Sequence, residues 1–255
     1  MNRAFLYGDG FFEAFKIVNG VPVFWNDHWE RIQRTITFLK FENSYTEQEL
    51  KSQIVNYLRE VSLVNGRLRI TVFRTGKGKY LPEINAYQID FNSSEIEASR
   101  FELRRIEKLH FSSIQLPRHT VGNFKLTAKP LQVLAALDAK ENGVEEAVLM
   151  NSQNEVCEGI SGNVFVLKNN QLYTPPLESG CLAGTMRALL LREFPNTVEK
   201  ALAKDDIISS DALIFTNSVR GIAVFSELEI ETTCQPLVDW LNEKMLNSIQ
   251  DFRGN

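Results

Sequence analysis

With 255 residues, 44% hydrophobic and 24% charged, the chain has ample apolar material for one large domain or two modest ones. A formal net charge of −4, with acidic and basic residues interspersed, excludes a basic grip on nucleic acid. No run approaches the ~18 apolar residues of a membrane span, and the polar opening Met1-Asn2-Arg3-Ala4-Phe5 is unlike a secretory leader, so the expected compartment is the cytosol. Cys157, Cys181 and Cys234 are odd in number and widely spaced, which reads as free thiols in a reducing compartment. His28, His110 and His119 lack metal-ligand spacing, and no G-x-S-x-G elbow is present, so neither a metal site nor a serine triad is expected.

In chain order, Phe11 to Val18 reads as a strand that turns at Asn19-Gly20 and returns through Val21 to Trp25. Asp27 and Glu30 have capping-box spacing for a helix whose apolar stripe is Trp29, Ile32, Ile36 and Leu39. Thr46 opens a second helix with Leu50, Ile54 and Leu58 on one face. Leu68, Ile70 and Val72 alternate as a strand, and so do Tyr87, Ile89 and Phe91. A segment with little periodicity at 116–122 separates an N-terminal domain (1–115) from a C-terminal one (123–255). Beyond it, a helix is expected over Thr127–Asn142, with Leu131, Leu134 and Ala135 inward and Gly143 as its stop. Glu146 to Phe165 reads as strand, turn, strand, and a hairpin at Asn169-Asn170 leads to Leu172 and Tyr173. After Gly184 comes a helix through Met186, Leu189 and Leu190, then a strand over Ala212–Thr216. A last helix carries Leu237, Trp240, Leu241 and Met245. The fold class is α+β, in two lobes.

Three local features carry chemistry. Gly184-Thr185-Met186 opens an apolar helix, and a helix start offers free N–H groups and a positive dipole end to a phosphate, although such starts also simply cap themselves. Glu158 lies in a strand-like stretch beside small residues; alone, it reads as a solvent-facing carboxylate. Lys125 stands between Phe124 and Leu126, where partial desolvation would make its amine nucleophilic, while most such lysines snorkel to water. An amine, a carboxylate and an anion cradle together are the parts of a pyridoxal phosphate site.

The order of these segments resembles the class IV aminotransferase family, the fold-type IV pyridoxal phosphate enzymes. Tyr7-Gly8-Asp9-Gly10-Phe11-Phe12-Glu13 resembles the opening Y-G-D-G-x-F-E, and His28-Trp29-Glu30-Arg31-Ile32 the H-L-x-R-L helix. Val156-Cys157-Glu158 through Asn163-Val164-Phe165 resembles V-x-E-x-x-x-x-N-x-F, the most specific of the set. Tyr173-Thr174-Pro175-Pro176, Gly184-Thr185-Met186-Arg187 and Thr216-Asn217-Ser218 are similar to the family's Y-T-P-P, G-I-T-R and T-N-S segments. The resemblance implies a two-lobed, D-amino-acid aminotransferase-like fold with pyridoxal 5′-phosphate between the lobes. It also implies a small-molecule amine substrate and a homodimer. Trp25, Trp29 and the stretch from Tyr7 to Phe15 are candidates to cover a subunit surface, and core packing explains them equally well.

Carried over position by position, Lys125 would hold the cofactor covalently and move protons, with Lys129 as a rival one turn into the helix. Glu158 would pair with the pyridine nitrogen. Arg31 and the backbone of Thr185, Met186 and Ser218 would hold the phosphate, and Leu182 would press on the ring. Arg31 has no need of burial on helical geometry. Departures bear on the substrate. The chain begins only a few residues before Tyr7, where relatives carry more strands. Branched-chain enzymes place tyrosine where Pro130 stands, and D-amino-acid enzymes place one where Phe12 stands. These features lean toward aminodeoxychorismate lyase, with an amino-acid aminotransferase as the alternative, although Ala128 replaces the asparagine usual in the lyases. Phe12, Arg74 and Lys77 are the candidate substrate residues, and Arg69 stands near the last two in sequence.

Overall fold

In the computed structural model, which describes residues 2–42, 45–226 and 230–254, a short helix α1 (Arg3–Tyr7) is capped by the Asn2 side chain. Strand β1 (Gly10–Val18) then turns at Asn19 and Gly20, whose φ angles of 52° and 72° give the twist that a two-residue hairpin needs. The return strand β2 (Val21–Pro22) stops well short of Trp25. Helix α2 (Trp25–Leu39) starts early, from Phe24 in a left-handed conformation with no side-chain cap. The Asp27–Glu30 capping box is therefore absent; Asp27 lies inside the first turn, where the helix dipole favours an acid. The buried face of α2 is also more polar than its apolar stripe predicts, because His28 and Arg31 join Ile32 and Ile36 in the interior.

Helix α3 (Glu47–Glu60) has the full capping box, Thr46 with Glu49, and buries Leu50, Ile54 and Leu58 as expected. Strands β3 (Gly66–Arg74) and β4 (Tyr87–Glu95) complete an antiparallel sheet of order β2-β1-β3-β4. Phe11, Phe15 and Ile17 of β1 and Leu68 and Ile70 of β3 share a core with Ile54 and Trp25. Trp25 is 2% exposed and stacks against Phe15 and Trp29, so its ring packs inward, while Tyr7 is 40% exposed.

The later chain runs through β5 (Arg104–Arg105), β6 (Phe111–Leu116), a 3-10 turn at Thr120–Asn123 and helix α4 (Pro130–Glu141). It continues with β7 (Val148–Asn151), β8 (Val156–Gly159), β9 (Asn163–Lys168), β10 (Gln171–Thr174) and α5 (Thr185–Glu193). After β11 (Val198–Glu199) and α6 (Lys204–Ile208), β12 (Ala212–Asn217) and β13 (Gly221–Phe225) precede the long α7 (Ile230–Gly254). Among the described residues the main sheet path is β5-β13-β12-β9-β8-β7-β6, with β10 beside β9 and β11 beside β10. The region from Glu146 to Phe165 thus contributes three strands where two were expected. Helix α4 begins at Pro130, not Thr127, because proline suits the first helical position and disfavours helix in the residue before it. Lys129 is consequently outside the helix. Ala135 and Ala139 form the buried face of α4, and Leu134 points out, 47% exposed.

By contacts the chain divides into one unit of Met1–Arg100, Lys125–Ala128 and Glu243–Asn255, and a second of Phe101–Phe124 and Lys129–Asn242. The segment 116–122 therefore lies within the second unit, and four residues beyond it return to the first. Their return has a physical cause, a backbone pairing with β1 described below. No helix among the described residues is long and apolar enough to cross a membrane.

Candidate active site

In the first unit, residues 125–127 lie along β1 as a short antiparallel bridge. Phe12 N–H donates to the Lys125 carbonyl at 3.0 Å, Thr127 N–H donates to the Gly10 carbonyl at 3.0 Å, and Phe11 is paired with Leu126. Side chains alternate along an extended chain. Phe11 and Leu126 pack into the core cluster, so Phe12 and Lys125 project together from the opposite face. The Lys125 Nζ lies 4.9 Å from the centre of the Phe12 ring. Arg69 of β3 shares that face: its guanidinium carbon sits 3.9 Å over the same ring. Burial and the nearby Arg67 both lower the Arg69 pKa, and the group stays charged.

Glu13, the next residue of β1, points the other way. Its carboxylate accepts from Arg31 through Nε at 2.9 Å and also through Nη2, a bidentate pair with Glu13 and Arg31 respectively 1% and 4% exposed. His28 Nδ1 stands 3.1 Å from the same carboxylate, although neither ring nitrogen is in hydrogen-bond geometry with a partner among the described residues. Burial pushes the Glu13 carboxyl up, but the Arg31 guanidinium pulls it well below the usual carboxylate range. Burial also lowers His28 below its ordinary value, which favours its neutral form. Arg31 is thus buried where helical geometry alone left it free to be exposed, and on the face of β1 opposite to Lys125.

In the second unit, Glu158 on β8 is paired across the hairpin with Asn163 on β9. The two hold one residue between them: Glu158 Oε2 accepts from Leu182 N–H at 2.7 Å, and Asn163 Nδ2 donates to the Leu182 carbonyl at 2.6 Å. Gln132 donates to Glu158 Oε1 at 3.4 Å. Glu158 is 7% exposed, not the surface carboxylate that its strand setting implied. Two residues beyond Leu182, Gly184 caps α5 without any side-chain hydrogen bond, so the first-turn amides of Thr185 and Met186 are left for another acceptor. A Cβ at Gly184 would stand 2.0 Å from Asn163 Oδ1, so only glycine allows this close approach. Ser218 lies partly buried in the turn between β12 and β13.

Of the other expected substrate residues, one is engaged within the fold and one is exposed. Arg74 is buried and fully engaged, with Asp9 at 3.1 Å, Asn85 at 2.7 Å, the Leu39 carbonyl at 2.6 Å and the Phe41 ring beneath it. It anchors the start of β1, and a substrate would find its hydrogen-bonding edges taken. Lys77 is exposed in the loop between β3 and β4. Lys129 donates to the Phe124 carbonyl at 3.3 Å. Sequence reasoning missed Asn163 and Glu13 as partners of site residues, although the four-residue gap from Glu158 to Asn163 is the length of one hairpin turn.

The class IV amino-transferase profile matches residues 10–228, most of the chain. The chain belongs to the class IV aminotransferases. A D-alanine aminotransferase of Bacillus licheniformis is 25% identical over 91% of this chain and 83% of its own. An aminodeoxychorismate lyase of Bacillus subtilis is 24% identical over 89% and 80%. The solved branched-chain aminotransferase of Thermoproteus uzoniensis, 21% identical, shares the fold with a TM-score of 0.80 over 97% of this chain and 91% of that one. This class IV aminotransferase is accordingly a pyridoxal phosphate-dependent enzyme, and its residues fit that cofactor. One unit presents an amine beside an aromatic ring. The other presents a buried carboxylate and an open helix start at a glycine whose Cβ would crowd Asn163.

The Glu13–Arg31 pair generates a stability prediction. Glu13→Ala leaves a buried guanidinium without its partner, and should lower the unfolding free energy by roughly 3–5 kcal/mol in urea titrations. Because the folded-state carboxyl is held below its ordinary 4.5, the pair's contribution is whole above that pH and is lost as pH falls. The gap between wild type and variant should therefore narrow on acidification below 4.5; a gap that widens there contradicts this account.

Proposed function

We propose that this enzyme eliminates pyruvate from 4-amino-4-deoxychorismate to give 4-aminobenzoate, with Lys125 as covalent anchor and proton carrier. The observation that carries the reading is the shared face of Lys125, Phe12 and Arg69 on the first sheet. An α-amino-acid transaminase must fix the substrate carboxylate with well-placed donors, since a misplaced α-carbon loses alignment. Phe12 and Pro130 cannot donate from their side chains. Arg69 offers a planar fork suited to a carboxylate, of which this substrate has two. The name of the Bacillus subtilis relative supports the same reading.

In this reading Glu158 pairs with the pyridine nitrogen and keeps it protonated, and Leu182 presses on the ring. Arg31, through the end of its guanidinium that Glu13 does not hold, and the backbone of Thr185, Met186 and Ser218 bind the phosphate. Bound pyridoxal phosphate supplies an electron sink for the carbanion left when a proton departs. Lys125 Nζ takes that proton from the amine-bearing carbon. The carbon–oxygen bond to the enolpyruvyl group then breaks, the proton is returned to the departing group as pyruvate, and the ring becomes aromatic.

A homodimer belongs to the same proposal, through a surface that keeps only Tyr7 of the aromatic residues first considered. Phe5 and Leu6 on α1, with Tyr80 and Leu81, are 84%, 46%, 90% and 85% exposed, and the Tyr7 and Tyr80 rings hold the two segments together at 5.7 Å. An exposed apolar patch of this extent marks a protein contact. Light scattering at micromolar concentration should give twice the chain mass; a monomer there contradicts the dimer.

The reaction is tested by measuring 4-aminobenzoate release beside keto-acid formation from D- and L-amino acids. The lyase activity should exceed the transamination, and Arg69→Ala should lower its kcat/KM roughly 10- to 100-fold. Robust transamination of a simple amino acid with no 4-aminobenzoate formed would overturn the lyase reading and favour the aminotransferases among the relatives.

A further inference from the structure

Glu146, just ahead of β7, is a buried carboxylate that none of the steps above uses. Its oxygens collect donors from the β8–β9 turn. Oε1 accepts from the backbone N–H of Ile160 and, at 3.2 Å, of Ala147, and Oε2 accepts from the Ser161 hydroxyl at 2.8 Å. The turn so held reaches onward. The Ser161 carbonyl accepts from Asn217 Nδ2, and Asn217 Oδ1 accepts from the N–H groups of Val219 at 2.8 Å and Arg220 at 3.1 Å. Ser218 sits inside the loop that Asn217 thereby closes. The contact between turn and strand is tight as well as polar. A Cβ on Gly162 would stand 2.4 Å from the Thr216 carbonyl, and one on Gly159 would stand 2.6 Å from the Phe215 ring. All these residues belong to the second unit.

We propose that Glu146 is a positioning residue for the cofactor phosphate: through the β8–β9 turn and Asn217 it fixes the loop that carries Ser218. This rests on the reading that Ser218 contacts the phosphate. Burying a carboxylate costs free energy, and burial does push Glu146 above its ordinary value despite its donors. A hairpin turn closed only for stability needs no ionisable group at its base. Several aligned donors around one carboxylate fix the turn's orientation more tightly than apolar packing would, and the orientation passes along the chain of hydrogen bonds to Asn217.

The test compares equilibrium binding of pyridoxal phosphate and of pyridoxal, which lacks the phosphate, to the apo-enzyme. Glu146→Ala should raise the Kd for pyridoxal phosphate about tenfold, the effect of about one lost charged hydrogen bond, with the Kd for pyridoxal unchanged. Glu146→Gln keeps an accepting oxygen for the two backbone donors and should recover most of the loss. Asn217→Ala, further along the same chain and less disruptive to the core, should show the same phosphate-selective loss even where Glu146→Ala folds poorly. Equal weakening of both ligands, or no weakening in Asn217→Ala, overturns the positioning role while leaving the phosphate assignment intact. A wild type that binds both ligands equally well overturns the phosphate assignment of Ser218, and the proposal with it.

Discussion

The antiparallel bridge between residues 125–127 and β1 is the constraint on which the chemistry depends. Two backbone hydrogen bonds and the burial of Leu126 against the same core as Phe11 determine the face from which Lys125 emerges. A shift of one residue in that pairing would exchange Lys125 with Leu126, placing an amine in the core and a leucine beside Phe12. Register is thus held by the cost of burying an ammonium group, the same free energy that drives the fold. Gly8 contributes at the end of the bridge: its φ of +66° and a Cβ that would meet Ala128 at 2.6 Å require glycine there.

A second constraint organises the other unit. Glu158 and Asn163 occupy opposite ends of one tight turn, and their side chains hold the two backbone polar groups of Leu182. The backbone before α5 is thereby fixed at both ends of one residue, and the open helix start follows two residues later. The spacing of glutamate and asparagine in the motif is the geometry of a hairpin, and the glycine that follows Ala183 is the space for the asparagine's oxygen.

Much of this was legible in the sequence, and the failures have physical reasons. Period-two alternation identified β3 and β4 because buried and more exposed positions alternate along them, whereas β1, buried on both faces, was legible from the Asn19-Gly20 turn that ends it. The helix opened by Thr46 was legible in its start and its buried face, because the cap residue and the apolar spacing are both local; its Glu49 partner in the capping box went unread. Helix α2 was misplaced at its start because Phe24 adopts a left-handed conformation that tertiary packing stabilises and no local rule announces. The buried faces of α2 and α4 were misread for a related reason. His28 and Arg31 are polar and enter the core only because Glu13 meets them there, while Leu134 is apolar and points outward. Arg74 was a plausible substrate contact from its position in the chain, yet Asp9, sixty-five residues earlier in the sequence, occupies it. Pairings of that separation leave no local trace.

The central claim is that Lys125, placed by its bridge to β1, carries the cofactor. The most direct measurement is reduction of the purified yellow enzyme with borohydride, followed by mass mapping of the peptide that bears the pyridoxyl group. The account predicts a single label on Lys125 and its loss in Lys125→Ala. A label on Lys129, or none, would contradict it.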